Sequence, residues 1–407
     1  MSSNSKKCTL LGFAEEQDHW LLTNRFFPSK IGWKPAWLDL KNIPDSKDLL
    51  CEYCEEPCIF LCQIYASAEG VVHAFHRTVY VFICKNGKCC AKISQTGNIK
   101  IFRSQLPLKN EFYPDIPADE NVECEAIESP VTLCQVCGCR GPFLCGKCKK
   151  AGYCGALHQQ NAWKTHKKHC QKEDDSCTTS TLEILFPEFE IVIEEEEHQN
   201  QPKESEKEAD ARRLQEYEKL VKSGQAGTMS DTSDLNDNVA ETEEDKTFAK
   251  FNKIVENYQH QVIRYNRHGS PLWISDHRIP NESQVPKCEL CKAKRSFEFQ
   301  IMPNMLNELK NFDLDWGVIA VYTCSKDCDV DGKYAQEFCF KQDVHDDQSD
   351  RQLKGMEEMN IDEGSEDEKV QETKPSQKAP QKKAESVKKK NSQPKSQPMF
   401  KSKDEWD

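Results

Sequence analysis

Cysteine and histidine recur in this chain at the spacings that a metal ion demands. Between positions 134 and 170 stand Cys134-x2-Cys137, Cys145-x2-Cys148, Tyr153-Cys154-x3-His158 and His166-x3-Cys170. Thiolate sulfur and imidazole nitrogen are the donors zinc prefers, and eight of them suffice for two four-coordinate ions. A stretch of 37 residues cannot bury enough apolar surface to fold alone. Metal binding would supply its folding free energy, on the order of 10 kcal/mol or more per site. Two further sets read as zinc-ribbon-like sites for one ion each: Cys288-x2-Cys291 with Cys324 and Cys328, and Cys51-x2-Cys54 with Cys84 and Cys89. Cys90 adjoins Cys89 and could replace it, although spacing favours Cys89.

The elements around these two sets are written to one template, about 237 positions apart. Pro35, Trp37, Ile43-Pro44, Cys51, Cys54, Phe60 and Gln63-Ile64 answer to Pro271, Trp273, Ile279-Pro280, Cys288, Cys291, Phe297 and Gln300-Ile301, with one residue inserted before Cys288. The matching offsets imply two homologous lobes. Gln63 and Gln300 recur within apolar runs, and a buried amide needs partners, so each is expected to pin a neighbouring strand or loop. Trp37 and Trp273 are expected as core anchors. Cys62 aligns with Phe299 and reads as a small buried hydrophobe. Cys58 aligns with Arg295, an exposed type. Cys8, Cys124, Cys139, Cys177 and Cys339 lack a partner pattern.

Composition bounds the rest. The 407 residues leave room for two or three compact units. A charged fraction of 30% against 37% hydrophobic residues predicts some disorder. There is no long apolar run, and the polar start lacks a signal-peptide core, so a soluble intracellular protein is expected. Reduced thiolates on metal then explain 22 cysteines better than disulfides do. Net charge is −13, unevenly spread: residues 171–245 hold 23 Asp/Glu against 7 Lys/Arg, while 134–170 holds seven Lys/Arg and no acid.

The predicted fold class is α+β. A first β-rich lobe spans 8–126, the cysteine-rich module 134–170, and a strand continuing the core 182–193. An acidic disordered loop follows at 198–245, then a helix and the second β-rich lobe at 246–342, and a disordered tail at 343–407. Strands are read at Ile59–Tyr65, Val79–Ile83 and Ile99–Phe102. Phe248, Phe251, Ile254, Val255, Tyr258, Val262 and Tyr265 recur at helical steps, with Gly269 as the stop.

The 134–170 module resembles the MYND zinc finger, including its Tyr-Cys pair and its Gln159…Trp163…His166 segment. The resemblance implies a cross-brace, with Cys134, Cys137, Cys154 and His158 on one zinc and Cys145, Cys148, His166 and Cys170 on the other. His158 stands where most such fingers have cysteine, which makes that site more sensitive to acid. The whole chain resembles the programmed cell death protein 2 family. The matching stretches are Leu11-Gly12-Phe13, SKIGWKPAWLDL (29–40), Phe75-His76-Arg77, QLPLKNEFYP (105–114), VIRYNRHGSPLWIS (262–275), RSFEFQIMPNMLNEL (295–309), DWGVIAVYTC (315–324) and EFCFKQD (337–343). Trp33 departs from the Gly-Gly usual in that family's first motif, which puts the turn there in question.

The resemblance implies a duplicated β-rich domain with a MYND finger between its halves. It also implies a dedicated chaperone that captures a newly made small-subunit ribosomal protein and hands it to pre-ribosomes. Such clients are strongly basic and bind RNA indiscriminately, so an acidic holder suits them. Zinc is the expected cofactor, two ions in the finger and one per lobe. No SET-type block, Gly-rich phosphate loop or nucleophile–base pattern stands out, so no enzyme activity is expected. The alternative is a transcriptional adaptor whose finger grips Pro-rich peptides. No membrane partner is expected, nor direct nucleic-acid binding, because aromatic interleaving in the basic finger is thin. The expected location is cytoplasmic, with Lys388-Lys389-Lys390 as the feature that would add the nucleus.

Overall fold

Short β-branched and aromatic runs bounded by turns become strands of one sheet in the computed structural model, which describes residues 8–170, 184–196 and 243–343. The first strands are β1 (Leu10–Glu15), β2 (Lys30–Ile31), β3 (Ile59–Tyr65), β4 (His76–Ile83) and β5 (Ile99–Leu106). The finger carries β6 (Phe143–Leu144) and β7 (Gly152–Tyr153). After it come β8 (Phe189–Glu195), β9 (Gln261–Tyr265), β10 (Arg295–Ile301), β11 (Val318–Cys324), β12 (Ala335–Gln336) and β13 (Phe338–Gln342). The few helices are α1 (Gly87–Cys90), α2 (Ala156–His169), α3 (Glu243–Val255) and α4 (Met305–Leu309).

Eleven strands follow the order β12-β5-β4-β3-β2-β8-β1-β9-β10-β11-β13, with β6 and β7 pairing apart. The two outermost strands, β12 and β13, are consecutive pieces of a single run interrupted at Glu337. Residues 335–342 therefore join the sheet's ends, pairing with β5 on one side and β11 on the other. Both matched halves thus contribute to the same sheet.

Details of the halves correspond. In each, three strands run outward from the middle: β3, β4, β5 and β10, β11, β13. The β3–β4 ladder slips between Phe60 and Cys62, and the β10–β11 ladder slips between Phe297 and Phe299. Each slip is a bulge that inserts one extra residue, Leu61 or Glu298. Gln63 and Gln300, both buried, clamp the backbone beside the Pro-Trp segments. Ala36 N donates to Gln63 Oε1 at 2.9 Å, and Leu272 N donates to Gln300 Oε1 at 2.6 Å. The amide nitrogens return the bond to Pro28 O at 2.9 Å and Leu272 O at 3.0 Å.

Trp37 is a core anchor, its ring 5.1 Å from Tyr80 and 5.7 Å from Phe82, and its Nε1 donates to Gly138 O of the finger at 2.7 Å. Arg140 pairs with Asp45 at 2.8 Å, so the finger is seated on the first half. Trp273 is half-buried, edge-on to Phe340 at 5.7 Å.

Several expectations change. The helical pattern from Phe248 to Tyr265 stops early: α3 ends at Val255, a 3-10 turn covers Glu256–Tyr258, and the remainder is β9. Ladders to β1 and β10 hold β9 extended, so pairing overrides the local three-residue step from Val262 to Tyr265. The strand read at 182–193 begins only at Phe189, past Pro187, and runs on to Glu195. Cys58 and Arg295 are both buried, contrary to the exposed reading. Trp33 follows Gly32 into the left-handed region, φ +54° after +68°, so the family's glycine preference there matches a backbone that disfavours side chains. A Cβ at Gly32 would lie 1.9 Å from Pro187 O. The acidic loop up to 242, Cys177 and the tail from 344 lie outside the described residues; α3 starts at Glu243, inside the stretch read as loop.

Candidate metal centres

Four CxxC pairs share one local device. The residue four positions after the first cysteine donates its N–H to that cysteine's carbonyl at 2.9 Å: Glu55 to Cys51, Gly138 to Cys134, Lys149 to Cys145 and Lys292 to Cys288. These donors have φ of +59°, +70°, +56° and +59° respectively. The tight turn points both thiols of each pair to one side. Only Gly138 adopts that φ without steric cost.

The second pair of ligands comes from elsewhere. In the first half, Cys84 follows β4 and Cys89 sits on α1, whose start is capped by the Asn86 side chain accepting from Lys88 N at 3.0 Å. In the second half, Cys324 ends β11 and Cys328 follows a turn in which Asp327 N donates to Cys324 O at 3.3 Å. In the finger, Cys154 follows β7 while His158 and His166 lie on α2, with Cys170 at its end. The last turn of α2 is basic, as the helix dipole favours.

The structure brings together four sets: Cys51, Cys54, Cys84, Cys89; Cys134, Cys137, Cys154, His158; Cys145, Cys148, His166, Cys170; and Cys288, Cys291, Cys324, Cys328. Within each set the donor atoms all lie within 4.8 Å of one another. Sulfur–sulfur separations include 3.6 Å for Cys54–Cys84, 3.8 Å for Cys137–Cys154, 3.8 Å for Cys145–Cys170, 3.7 Å for Cys288–Cys328 and 3.5 Å for Cys291–Cys324. A tetrahedron with zinc–sulfur bonds of about 2.3 Å has edges of about 3.8 Å, whereas a disulfide needs about 2.05 Å. The spacing suits a shared metal, and every described cysteine is a free thiol. His158 presents Nδ1 to its set, 3.7 Å from Cys134 Sγ, and His166 presents Nε2, 3.6 Å from Cys148 Sγ.

The remaining cysteines separate cleanly. Cys90 Sγ donates to Asp315 O at 3.1 Å, so it faces away from the set that holds Cys89. Cys62 is buried in β3, and Cys58, Cys139 and Cys339 are also buried. Cys8 and Cys124 are half-buried. Burial raises the Cys291 thiol, but the Ala293 N–H and the neighbouring thiols outweigh it and bring the group to about 7.

Sequence reasoning missed a buried ionic junction. Arg77 on β4 grips Glu298 on β10 with two bonds, of 2.5 and 2.7 Å, between side chains that are both fully buried. Thr323 and Tyr265 also donate to Glu298. Burial opposes ionisation of Glu298, but the Arg77 charge and bonds prevail and hold it down at about 2. Arg77 Nε lies 3.0 Å from Asp327, which Arg267 also contacts. Beside this, Glu337 receives Arg103 and Arg295, each at 2.7 Å. The signal was a glutamate set between Phe297 and Phe299 in a predicted strand, since a buried charge must find a partner.

Comparison with known proteins follows the same division. The family model for the programmed cell death protein 2 N-terminal domain matches residues 8–120, that for its C-terminal putative domain matches 245–343, and the MYND finger matches 134–170. Mouse programmed cell death protein 2 is 39% identical over 348 residues, covering 83% of this chain and 96% of the relative. The bovine protein is 37% identical over 362 residues, covering 85% and 99%. A fission-yeast protein named probable 20S rRNA accumulation protein 4 is 37% identical over 94 residues, covering 21% of this chain and 24% of the relative. No solved structure matches.

Proposed function

The chain belongs to the programmed cell death protein 2 family, and from that premise we propose that it is a zinc-binding, non-enzymatic chaperone for a newly made small-subunit ribosomal protein. The observation that carries the ribosomal part is the fission-yeast relative named for 20S rRNA accumulation. In this reading the two halves are duplicated lobes that hold the client. Two zincs brace the finger, and one zinc staples each lobe.

A place for an extended client segment is available beside the finger. A cavity of about 320 Å³ opens where Trp33, Trp37 and Leu40 meet Ile127 and Leu133. Its aromatic and aliphatic walls suit the apolar side chains of an extended peptide. The acids of 171–245 would favour encounter with a basic client. The protein would act in the cytoplasm and accompany its client towards pre-ribosomes.

A second reading keeps the finger as a peptide-binding adaptor, because Phe143, Leu144, Leu157 and Trp163 are exposed on it. Mass spectrometry of co-purifying proteins separates the two. The chaperone reading expects one stoichiometric small-subunit ribosomal protein, lost when both lobe CxxC pairs are replaced by serine and retained when the exposed finger residues Phe143, Leu144, Leu157 and Trp163 are replaced by alanine. Partners lost with those finger substitutions instead would refute it.

A further inference from the structure

We infer that the two four-cysteine sites are reciprocal clasps, each fastened by a buried cation that belongs to the opposite half. The inference rests on the zinc reading above and adds the residues that couple metal loading to closure of the sheet.

The knuckle Cys84–Cys90 of the first half docks on the second. Lys341 on β13, fully buried, donates through Nζ to Cys90 O. Cys90 Sγ donates to Asp315 O at 3.1 Å, and Ser94 N donates to Asp343 at 2.9 Å. At Gly87 the backbones approach so closely that a Cβ would stand 2.7 Å from Asp313 O.

The knuckle Cys324–Cys328 of the second half docks on the first in the same manner. Arg103 on β5, fully buried, donates to Cys328 O at 3.1 Å and lies 3.6 Å from Cys328 Sγ. His73 Nε2 and Gln105 Nε2 reach Asp327 O at 2.7 and 3.3 Å.

In both directions the cation stands on an outer strand of one half. It binds the carbonyl of the other half's last metal ligand, or of the residue next to it. Each cation also holds a carboxylate, Asp343 for Lys341 at 2.6 Å and Glu337 for Arg103 at 2.7 Å, so its pull on the knuckle is exerted chiefly through the bonded carbonyl. Groups that hold a ligand loop in place normally set metal affinity from outside the coordination shell. Lys341 and Arg103 are therefore positioning residues for sites that lie in the half they do not belong to.

The test uses the full-length zinc-loaded chain with Lys341→Met and Arg103→Met. Zinc transfer to a chromophoric chelator is timed, and freed thiols are alkylated and assigned by peptide mass spectrometry. Lys341→Met is expected to speed zinc loss from the Cys51, Cys54, Cys84, Cys89 site by about tenfold, sparing the Cys288 site. Arg103→Met is expected to do the converse. Faster loss from the site in the mutated residue's own half, or equal loss from both, overturns the inference. If a Met variant does not fold, Lys341→Arg and Arg103→Lys keep the charge and change the geometry. They must give the same crossed pattern in weaker form, and its absence overturns the inference equally. A wild-type chain holding fewer than four zincs would instead overturn the zinc reading itself.

Discussion

Leu61 and Glu298 occupy matching positions in the two halves, each the extra residue of a bulge in the same place, and each fully buried. The leucine joins the apolar core of the first half, while the glutamate reaches across to Arg77. One backbone device thus aims two unlike side chains. The difference shows how the same backbone device can be turned to two unlike ends. At the junction β4 and β5 supply Arg77 and Arg103, and the second half supplies Glu298, Asp327 and Glu337. A half paired with its own copy would bury unmatched charge, which costs several kcal/mol per group. The first half's four-cysteine set is also the more enclosed, since Cys54 is half-buried and Cys89 buried where their counterparts Cys291 and Cys328 are exposed and half-buried.

The largest way to break the comparison is to remove a ligand. Cys288→Ser leaves three thiolates that cannot close a tetrahedron, so one zinc should be lost, with a binding contribution on the order of 10 kcal/mol. Metal analysis and thermal melting check it: an unchanged zinc count with a native melting curve would refute the assignment. Cys51→Ser should behave alike if the halves are equivalent in this respect.

Making the halves alike at the bulge should cost less. Glu298→Leu leaves Asp327, shared with Arg267, as the one carboxylate facing Arg77 and is expected to destabilise the protein by about 3–5 kcal/mol in denaturant unfolding. Glu298→Gln sharpens the point through pH. The Glu298 carboxyl is depressed from 4.5 to about 2, so its stabilisation is complete above its ordinary value and is lost as pH falls through about 2. The stability gap between wild type and Glu298→Gln should therefore stay constant above pH 4.5 and shrink steadily on acidification towards 2. A gap independent of pH over that range would show that Glu298 is not held ionised by Arg77.

The ligands themselves were legible because a CxxC turn brings two thiols together whatever surrounds it, while the sorting of the finger's eight ligands into two sets came from the MYND resemblance. The strands were legible from the short apolar runs between turns. What escaped was long-range. Nothing near Arg77 announces a partner 221 positions away, and nothing near Ala335 announces that the same run will pair with β5 and then with β11. The helix over-extended for the same reason, since β9 is fixed by neighbours distant in sequence. The matched offsets helped with Gln63 and Gln300, whose clamps agree, and misled at Cys58, where an arginine counterpart suggested exposure although Arg295 is itself buried against Glu337.

The smallest effect tests whether metal holds the CxxC turns in a conformation their side chains resist. Glu55 and Lys292 sit at φ +59° in the matching turns of the two halves, where a side chain costs about 1–2 kcal/mol. Glycine removes that cost but adds chain entropy to the unfolded state, worth about 0.4–1 kcal/mol the other way. Glu55→Gly and Lys292→Gly should each therefore raise stability by a few tenths to about 1 kcal/mol. The reverse change in the finger, Gly138→Ala, should lose more than either gains. That φ is +70°, and the new Cβ would press within 2.8 Å of the Lys34 Cβ where the finger sits on the first half. Paired denaturant curves on zinc-loaded protein decide it. Destabilisation by Lys292→Gly would mean that the lysine side chain contributes more to this turn than its backbone costs, and that the two matched knuckles are held by different forces.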